Sequence, residues 1–373
     1  MTEQMEQKKR TQIKILHIVG QMNMGGQETF IMNVYRKIDR EKFKFDFVVN
    51  SQDRGHYDDE IELLGGKIYR ITPMSKNLLK HMIELRKILI NNKYDVIHRH
   101  TCTAVVILDL LVAKICKVKK RIVHSHSNNI SSNYLINSIC KPFLNYFLNI
   151  RIACSIDAAK WLFGKKYKET IIINNGIDLE KYKYSDEKRN QIRKELEIDN
   201  STIVIGHVGS FSTAKNHEFI VDVFKSYLEK NDNAILVLCG DGNLKREIES
   251  KVEFLKIKNK VKFLGVKENI SEIYSIFDIF IFPSIYEGLG IVLIEAQISG
   301  LKCIVSSNIP NESIITENVK KLSINCNKDI WVEELINFKK NDRKINLNSE
   351  NIKKFSIIRT VKELQEIYET GEK

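Results

Sequence analysis

Short apolar runs alternate with segments of helical periodicity along most of the chain, in two successive series. The first series opens at Ile13–Val19 and the second at Ile203–Val208, after a charged stretch from Tyr182 to Asn200. Strands that alternate with helices pair in parallel, because each crossover helix returns the chain to the same edge of the sheet. Each series therefore predicts a doubly wound parallel sheet, and the 373 residues predict an α/β protein with two Rossmann-like domains.

The elements of both series follow from apolar periodicity and from the residues that punctuate it. The predicted strands are Ile13–Val19, Phe43–Val49, Lys67–Arg70, Val96–His98, Arg121–His124, Ile150–Cys154, Thr170–Asn174, Ile203–Val208, Ala234–Cys239, Val261–Phe263, Ile279–Phe282, Lys302–Val305 and Lys321–Ile324. The predicted helices are Thr29–Lys37, Tyr57–Leu64, Leu78–Asn91, Ala104–Cys116, Tyr134–Asn149, Ile156–Phe163, Glu218–Lys230, Leu244–Leu255, Ile270–Ser275, Ile291–Ser299 and Ser349–Tyr368.

The stretch from Pro283 to Glu295 carries two carboxylates beside a predicted helix start. Glu287 lies in the loop after a buried strand, and Glu295 lies about one turn into the helix. A helix N-terminus offers unpaired N–H groups and partial positive charge, which suit a phosphate. Carboxylates beside a phosphate seat suit hydroxyl groups, so the stretch favours a sugar joined to a nucleoside diphosphate. The alternative is that both glutamates are solvated and stabilise the helix through its dipole.

Three further loops leave predicted strand ends, where ligands bind in open parallel sheets. Gly209–His217 places Lys215 just before a helix start, as a diphosphate site would. Gly240-Asp241-Gly242 allows close approach of the backbone to a ligand. Gly20–Glu28 holds Asn23 and the Gly25-Gly26 pair, which is neither a P-loop nor a Gly-x-Gly-x-x-Gly motif. A tight turn requiring positive φ explains this glycine pair equally well.

Histidines occupy two predicted strand ends in the first series. His98 ends one predicted strand and His100 lies just after it, while His124 ends the next and His126 lies just after that. Because acidic or cysteine co-ligands are not clustered with them, a metal site is not expected. A histidine that binds or handles a proton at the sheet edge is the favoured interpretation. A satisfied structural histidine is the alternative, above all for His17, His81 and His124.

The composition limits which binding partners and which cellular compartment are expected for the protein. Between Met1 and Glu180, 29 lysine and arginine residues stand against 18 aspartate and glutamate residues, which accounts for 11 of the net +12 charges. This excess favours an anionic partner such as a membrane surface, a phosphorylated substrate or nucleic acid, unless it reflects a lysine-rich composition bias. Seven scattered cysteines fit a reducing cytoplasm. Neither a secretory signal nor a membrane-spanning run of apolar residues is apparent.

Taken in order, these motifs resemble those of retaining glycosyltransferases of the GT-B fold, family 4, and within that family the bacterial exopolysaccharide and capsule enzymes. The resemblance covers nearly the whole chain. It rests on the Gly25-Gly26 loop, the strand ending in His126, Asn175-Gly176-Ile177-Asp178, Lys215-Asn216-His217, Gly240-Asp241-Gly242 and Pro283–Glu295. It implies an acceptor-binding domain at 1–185, a nucleotide-sugar domain at 186–345 facing it across a cleft, and a final helix at 346–373 returning to the first domain.

The resemblance also implies a role for each matching residue. Glu287 would hold donor-sugar hydroxyls, Glu295 the ribose and Lys215 the diphosphate, while His126 would contact the donor sugar from the other domain. The catalytic set would be His126, Glu287 and Lys215. The remaining donor contacts would be Gly209, Ser210, Gly242, Val266, Leu289, Gly290 and Ile291, and Asn23, Gly25 and Gly26 would face the donor phosphates and the acceptor.

One residue departs from the family pattern. Many relatives carry arginine directly after the glycine that ends the first strand of the second domain, and Ser210 stands there in this chain. Serine cannot supply the bidentate phosphate contact of a guanidinium, so more of the diphosphate charge would fall to Lys215. The chain has no Asp-x-Asp motif at these positions, so metal-independent transfer without a cofactor is expected.

The function predicted from the resemblance is sugar transfer from a nucleotide donor, with UDP as the carrier, to a glycan or lipid-diphosphate-linked acceptor. A non-hydrolysing nucleotide-sugar epimerase and a non-catalytic sugar-nucleotide-binding partner subunit remain as alternatives. The basic cluster Lys114–Arg121 and the aromatic stripe in 134–147 would dock on an anionic membrane, unless the stripe only packs in the core. A cytoplasmic, peripheral location and no nucleic-acid partner are expected.

Overall fold

A computed structural model describes residues 12–126, 134–337 and 343–372. The chain divides into two compact units, Met1–Ile177 with Lys354–Lys373, and Asp178–Lys353. Each unit is an α/β structure around its own parallel sheet, as the alternation of strands and helices predicted. Within the described ranges, no helix combines the length and apolar character needed to cross a bilayer.

The first unit contains a seven-stranded sheet in the order β3-β2-β1-β4-β5-β6-β7, with parallel neighbours. Its strands are β1 Ile13–Val19, β2 Phe43–Val49, β3 Ile68–Arg70, β4 Val96–Thr101, β5 Lys120–Ser125, β6 Ile150–Ala153 and β7 Ile171–Ile172. Its helices are α1 Gly26–Lys37, α2 Asp58–Leu63, α3 Leu78–Asn92, α4 Ile107–Ile115, α5 Tyr134–Phe147 and α6 Ile156–Phe163, with α14 Ile357–Thr370 from the C-terminal segment.

The second unit contains a six-stranded parallel sheet in the order β10-β9-β8-β11-β12-β13. Its strands are β8 Ile203–Val208, β9 Ala234–Cys239, β10 Val261–Gly265, β11 Ile279–Phe282, β12 Lys302–Ser306 and β13 Val319–Leu322. Its helices are α7 Asp186–Glu195, α8 His217–Leu228, α9 Lys245–Phe254, α10 Ile270–Ile276, α11 Ile291–Ile298, α12 Lys328–Ile336 and α13 Glu350–Lys353.

Both sheets reverse the direction of winding beside their first strand. β1 lies between β2 and β4, and β8 lies between β9 and β11. In doubly wound sheets the crevice beyond the carboxyl ends of these central strands is where ligands bind, because the crossover helices diverge there. The histidine-bearing strands of the first unit and the glutamate-bearing loop of the second therefore lie at the expected edges.

The C-terminal segment confirms the predicted return to the first unit but is not one continuous helix. Leu364, Ile367 and Tyr368 of α14 belong to the core cluster around β1 and β2. Before α14, the N–H of Ile177 donates to the Phe355 carbonyl at 2.8 Å, and the N–H of Ile357 donates to Ile177 at 2.9 Å. This short parallel bridge holds Ser356 in extended backbone, with φ −68° and ψ 129°, so the predicted helix Ser349–Tyr368 breaks there.

Two helices of the second unit were missed and one strand was misplaced. In α7 the buried face includes Arg189 and Arg193, which both pair with Asp278 at 2.7 Å, so apolar periodicity gave no signal. Helix α12 was also missed, although its Trp331 is fully buried. Strand β13 lies two residues before the predicted Lys321–Ile324, since Val319 pairs with Cys303 of β12.

Candidate functional site

The loop from β11 to α11 brings Glu287 and Lys215 together. The Lys215 Nζ lies 2.5 Å from the Glu287 Oε1, and their side chains are only 17% and 10% exposed. The same ammonium lies 5.0 Å from the centroid of the Phe282 ring. The sequence placed these two residues in separate loops, and the structure joins them in a partly buried ion pair.

Backbone contacts between the two loops hold this pair in place. The N–H of Ile285 donates to the Ala214 carbonyl at 2.8 Å. The Asn216 side chain donates to the Pro283 carbonyl at 3.3 Å, and Asn216 itself adopts a left-handed conformation at φ 56°. Because Lys215 and Glu287 flank these contacts, their relative position is fixed by backbone as well as by charge.

Helix α11 begins directly behind the ion pair. Its N-cap residue is Gly290, with φ 69° and ψ 54°, a conformation that glycine adopts without strain. A glycine cap has no side chain to accept hydrogen bonds from the first-turn N–H groups. The first-turn N–H groups that have no partner within the helix are therefore suited to an external anion, whereas the N–H of Leu293 already donates to the Gly290 carbonyl at 2.9 Å.

Glu295 lies deeper in the unit than its sequence position suggested. It is 7% exposed, and its carboxyl accepts hydrogen bonds from the Tyr182 hydroxyl at 2.9 Å and the Tyr274 hydroxyl at 2.8 Å. Burial raises the pKa of Glu295 to about 7, although both hydrogen bonds oppose that rise. The solvated alternative is wrong for this residue, while its predicted contact with ribose stays a prediction.

Gly240 allows two loops of the second unit to pack closely against each other. Gly240 has φ 139°, and a side chain there would collide with the Gly209 carbonyl. The loop Gly240-Asp241-Gly242 therefore packs against the backbone of the Gly209–Phe211 loop, where the N–H of Phe211 donates to the Asp241 carbonyl at 3.0 Å. This contact explains the glycine without a ligand, and the predicted role of Gly242 in donor binding is not tested by it.

The remaining predicted donor contacts differ in accessibility. Ser210 is exposed, and its hydroxyl lies 3.2 Å from that of Ser212. Val266 is also exposed, whereas Leu289 is buried and its carbonyl accepts a hydrogen bond from the Ser313 hydroxyl.

The Gly25-Gly26 pair forms the start of α1 without positive φ. Gly25 is the N-cap residue with φ −122° and ψ 164°, and Gly26 is the first helical residue. The alternative of a tight turn that requires positive φ is therefore wrong. A side chain at Gly25 would collide with the Glu28 carboxyl, whereas one at Gly26 would enter open space. Nearby, the Asn23 side chain accepts a hydrogen bond from the His56 N–H at 3.1 Å.

Five histidines cluster at the carboxyl ends of β1, β4 and β5. They are His17, His98, His100, His124 and His126. His100 Nε2 lies 3.0 Å from His17 Nδ1, and His100 Nδ1 lies 2.8 Å from His126 Nε2. On the other side of the cluster, His98 Nδ1 lies 2.8 Å from the Tyr368 hydroxyl. The sequence indicated two histidine pairs, and the strand register merges them with His17 into one group, which we call the histidine cluster.

Burial keeps the histidine cluster uncharged. It lowers the pKa of His17 and of the partly exposed His126 to about 3, and it lowers the pKa of His98, His100 and His124 well below 6.5. Two sets of three within it bring ligand atoms within 4.8 Å of one another. The cluster therefore has the ligand type for a transition metal, which the sequence did not predict.

The alternative of satisfied structural histidines holds for one residue and fails for another. His81 Nδ1 lies 2.8 Å from the Thr72 carbonyl, and His81 Nε2 lies 2.8 Å from the Asp109 carboxylate. Neither ring nitrogen of His124 has a hydrogen-bond partner among the described residues. His81 is thus a structural histidine, and His124 is not satisfied.

Sequence patterns alone contain little signal for the two tyrosines that bind Glu295. Tyr182 lies in the charged stretch before α7, and Tyr274 lies in the short helix α10. They are 92 positions apart in sequence, and only the fold of the second unit brings both hydroxyls to one carboxyl.

Comparison with known proteins agrees with this architecture. The model for "Glycosyltransferase Family 4" matches residues 24–181, and that for "Glycosyl transferases group 1" matches residues 188–355. The putative glycosyltransferase EpsF of Bacillus subtilis is 33% identical over 336 residues, which cover 87% of each chain. An Escherichia coli UDP-Gal:alpha-D-GlcNAc-diphosphoundecaprenol alpha-1,3-galactosyltransferase is 24% identical, over 96% of this chain and 97% of its own.

A similar fold is found in the crystal structure of Anabaena HepE in complex with UDP-glucose. The two structures share a TM-score of 0.79 at 18% identity, over 96% of this chain and 99% of HepE. The two parallel-sheet units, the two matching family models and the similarity to EpsF over most of both sequences lead to one conclusion. The chain belongs to the glycosyltransferases that combine a family 4 domain with a group 1 domain, and it has the GT-B fold.

Proposed function

We propose that this enzyme transfers a sugar, with retention of anomeric configuration, from a UDP-sugar to a lipid-diphosphate-linked glycan in surface polysaccharide biosynthesis. The observation that carries the proposal is the Lys215–Glu287 ion pair at the N-terminus of α11. It sets a cation, a carboxylate and uncapped N–H groups side by side at the carboxyl edge of the sheet. A nucleotide sugar needs these three kinds of group, since it carries phosphates and hydroxyls next to each other.

The leaving diphosphate gains negative charge as the bond to the sugar breaks. Lys215 and the first turn of α11 are positioned to stabilise that charge, and a preorganised cation in a partly buried site does so more strongly than one in water. Because Ser210 supplies no cation, Lys215 carries the charge that relatives share with arginine. These groups provide the stabilisation without a divalent ion bound to the donor.

The ion pair must open when the donor binds. In the ligand-free chain, the Glu287 carboxylate neutralises Lys215. Phosphate oxygens would replace the carboxylate at Lys215, and sugar hydroxyls would then donate to the released Glu287. Each partner thus prevents an unpaired buried charge on the other until the donor arrives.

The Glu295 carboxyl would accept hydrogen bonds from the ribose hydroxyls, and its burial would set how far it is protonated. Tyr182 and Tyr274 fix its two oxygens, so a ribose hydroxyl would meet an oriented carboxyl. In retaining members of the family the acceptor hydroxyl is thought to attack from the leaving-group side, with the donor phosphate taking its proton.

The UDP carrier and the lipid-linked acceptor are supported by the relatives. The Escherichia coli enzyme is named for UDP-Gal and for a diphosphoundecaprenol acceptor, and HepE was crystallised with UDP-glucose. These relatives give no support to the epimerase or to the non-catalytic subunit.

The decisive experiment incubates the enzyme with a panel of UDP-sugars, with and without a short-chain lipid-diphosphate glycan, and analyses the products. Acceptor-dependent release of UDP from one donor is expected. Glu287→Ala should abolish most of that release. The matched control is Glu334→Ala, because Glu334 forms a similarly half-buried pair with Lys302 at 2.9 Å in the same unit, and it should retain activity.

Other outcomes would refute the proposal. Conversion of the donor to an epimer without acceptor would identify an epimerase. Absence of transfer and of slow hydrolysis with every donor, while UDP still raises the melting temperature, would identify a non-catalytic binding subunit.

We also propose that the first unit docks on an anionic membrane through α4 and α5. Exposed apolar side chains on these helices are Ile115, Ile139, Phe143 and Tyr146. Exposed lysines 114, 117 and 119 lie in the same region, and the Lys114 Nζ lies 4.2 Å above the Tyr146 ring. The stripe also contributes Leu144 to the core, so it is divided between core and surface.

Flotation with vesicles tests this docking. Vesicles containing phosphatidylglycerol should bind the protein at low salt and release it at high salt, because each basic residue near such a surface contributes about 1 kcal/mol. Phe143→Ser should weaken binding, and Phe254→Ser, which alters an exposed phenylalanine of the other unit, should not. Equal flotation with neutral vesicles would contradict an electrostatic mode.

A further inference from the structure

His124 is the most anomalous polar side chain of the first unit. It has no exposed surface, and both ring nitrogens lack hydrogen-bond partners among the described residues. A neutral imidazole always has one N–H donor and one acceptor nitrogen. Leaving such a buried group unsatisfied is unfavourable, because it has lost its hydrogen bonds to water without gaining others. The His124 side chain is therefore a candidate for binding a ligand that supplies a missing contact to a ring nitrogen.

Two neighbouring imidazoles present nitrogens to the same place. His100, His124 and His126 each offer one ring nitrogen, and these atoms lie within 4.8 Å of one another. The shortest separation, between His100 Nδ1 and His126 Nε2, is 2.8 Å. Tetrahedral zinc with Zn–N bonds of about 2.0–2.1 Å places its nitrogen ligands about 3.3 Å apart. Small shifts of the three rings would therefore meet this geometry.

We propose that His100, His124 and His126 bind one divalent transition-metal ion of the zinc class. The ion would bind one of the two unpartnered nitrogens of His124 and replace the hydrogen bond between His100 Nδ1 and His126 Nε2. The partial exposure of His126 offers the ion a path of entry. This inference does not depend on the donor-binding groups of the second unit, but it assigns His126 to the ion in place of its predicted contact with the donor sugar.

His17 is the positioning residue of this site. Its Nδ1 lies 3.0 Å from His100 Nε2. If His100 donates its Nε2–H to His17, the lone pair of His100 Nδ1 is left for the ion, and the ring is held in place. Metal-binding histidines commonly donate their second N–H to such a partner, which fixes the tautomer and the ring orientation.

Because the proposed ligands are imidazole nitrogens, they favour one class of metal ion over another. Among the described residues, the groups that bring metal-ligating atoms this close consist of histidines alone. Imidazoles suit zinc, copper, nickel and cobalt, whereas magnesium and calcium prefer oxygen ligands.

A second set of three, His17, His98 and His100, shares His100 with the first, so the two sets cannot each bind an ion independently. His98 already has the Tyr368 hydroxyl 2.8 Å from its Nδ1. The first set contains the wholly unpartnered ring and the more accessible one, which favours it as the site. The two sets make different predictions for variants of His98 and His124.

The test uses tag-free, chelator-treated full-length protein and measures Zn²⁺ affinity by competition with a chromophoric chelator. One equivalent should bind per chain. His124→Leu should weaken binding more than about 100-fold, beyond the roughly 10- to 100-fold loss typical of outer-shell changes, which is the range expected for His17→Leu. His98→Leu, the matched control, should bind as wild type does, and circular dichroism should show that each variant is folded.

A measurement on the unaltered chain guards against variants that fail to fold. Electron paramagnetic resonance of the Cu²⁺-loaded wild type should show coupling to three ligand nitrogens. Sub-stoichiometric Zn²⁺ binding, absence of nitrogen coupling or undiminished binding by folded His124→Leu would each overturn the proposal. Loss of binding in His98→Leu with retention in His124→Leu would also overturn it and would place the ion in the second set.

Discussion

The two sheets share a strand order around their central strands but carry opposite chemistry at their carboxyl edges. The first unit places five imidazoles there, and burial holds them neutral. The second places an ammonium–carboxylate pair and one carboxyl bound by two tyrosines. The edge of the first unit thus carries neutral imidazoles, whereas that of the second carries an ion pair.

The difference shows that the charge of a buried side chain depends on its nearest partner as well as on burial. Burial disfavours the charged form of either sign, so it lowers the pKa of histidine and raises that of glutamate. The pKa of His17 falls to about 3 and that of Glu295 rises to about 7. As a result, the first unit should lose stability towards acid and the second towards alkali.

The largest expected effect is a loss of stability of the first unit at acid pH, measured in chelator-treated protein. Since burial holds the histidine pKa values below 6.5 in the folded state, the stability linked to these neutral histidines is fully present above pH 6.5. It is lost as the pH falls towards about 3. Each buried histidine gives a slope of up to about 1.4 kcal/mol per pH unit, so the four fully buried ones give at most about 5.

Fluorotryptophan labelling can assign this loss to a unit, because the two tryptophans, Trp161 and Trp331, lie in different units. Urea unfolding followed by the ¹⁹F signal of Trp161 should shift to lower urea between pH 7.5 and pH 5.5. An unchanged midpoint would show that the histidines are not held neutral.

Charge in the second unit is tested by Lys215→Ala. Removal of the cation should lower kcat by about 10²- to 10³-fold, as loss of one preorganised group at a developing charge does elsewhere. Lys302→Ala, which opens the Lys302–Glu334 pair, is the control and should keep kcat near the wild-type value. Equal kcat values for Lys215→Ala and wild type would remove Lys215 from the reaction.

Glu295→Gln should stabilise the second unit at alkaline pH. A carboxyl whose pKa rises from 4.5 to about 7 on folding favours the folded state below pH 4.5, and this advantage declines as the pH rises to 7. The full difference is about 3 kcal/mol. The Trp331 ¹⁹F signal should therefore show Glu295→Gln to be more stable than wild type at pH 8, with the gain vanishing near pH 4.5. A gain that does not depend on pH would have another cause.

The smallest effect is expected from Tyr182→Phe. This change removes one hydrogen bond that lowers the pKa of Glu295, so that pKa should rise further above 7. The cost in stability at pH 8 should be about 1 kcal/mol. Carbon-13 NMR of the glutamate carboxyls can follow the titration, and a lower Glu295 midpoint in the variant would contradict the assignment.

Most of the fold was predictable because parallel strands buried on both faces are short apolar runs. Predictions failed where a different interaction replaced apolar periodicity. Helix α7 buries arginines against Asp278, and the break before α14 arises from a backbone bridge to Ile177. Neither contact has a local signature, since each joins residues that are far apart in sequence.

For the candidate site too, some features were predictable from the sequence and others were not. Its residue types and strand-end positions were evident from the sequence, including Lys215, Glu287, Glu295 and the His-x-His motifs. The Lys215–Glu287 pair and the contacts of Tyr182 and Tyr274 with Glu295 were not, because they depend on which loops and helices pack together.

By itself, the sequence determined the family, the two α/β units and the edges where functional groups lie, since these depend on local periodicity and ordered motifs. Only the tertiary structure decided the charge states. Glu287 forms an ion pair because the fold brings Lys215 beside it, whereas burial raises the pKa of Glu295 to about 7. The histidines merge into one uncharged cluster because the register of β1, β4 and β5 aligns them. Charge in a protein interior depends on burial and on the nearest partner, and both are properties of the folded chain.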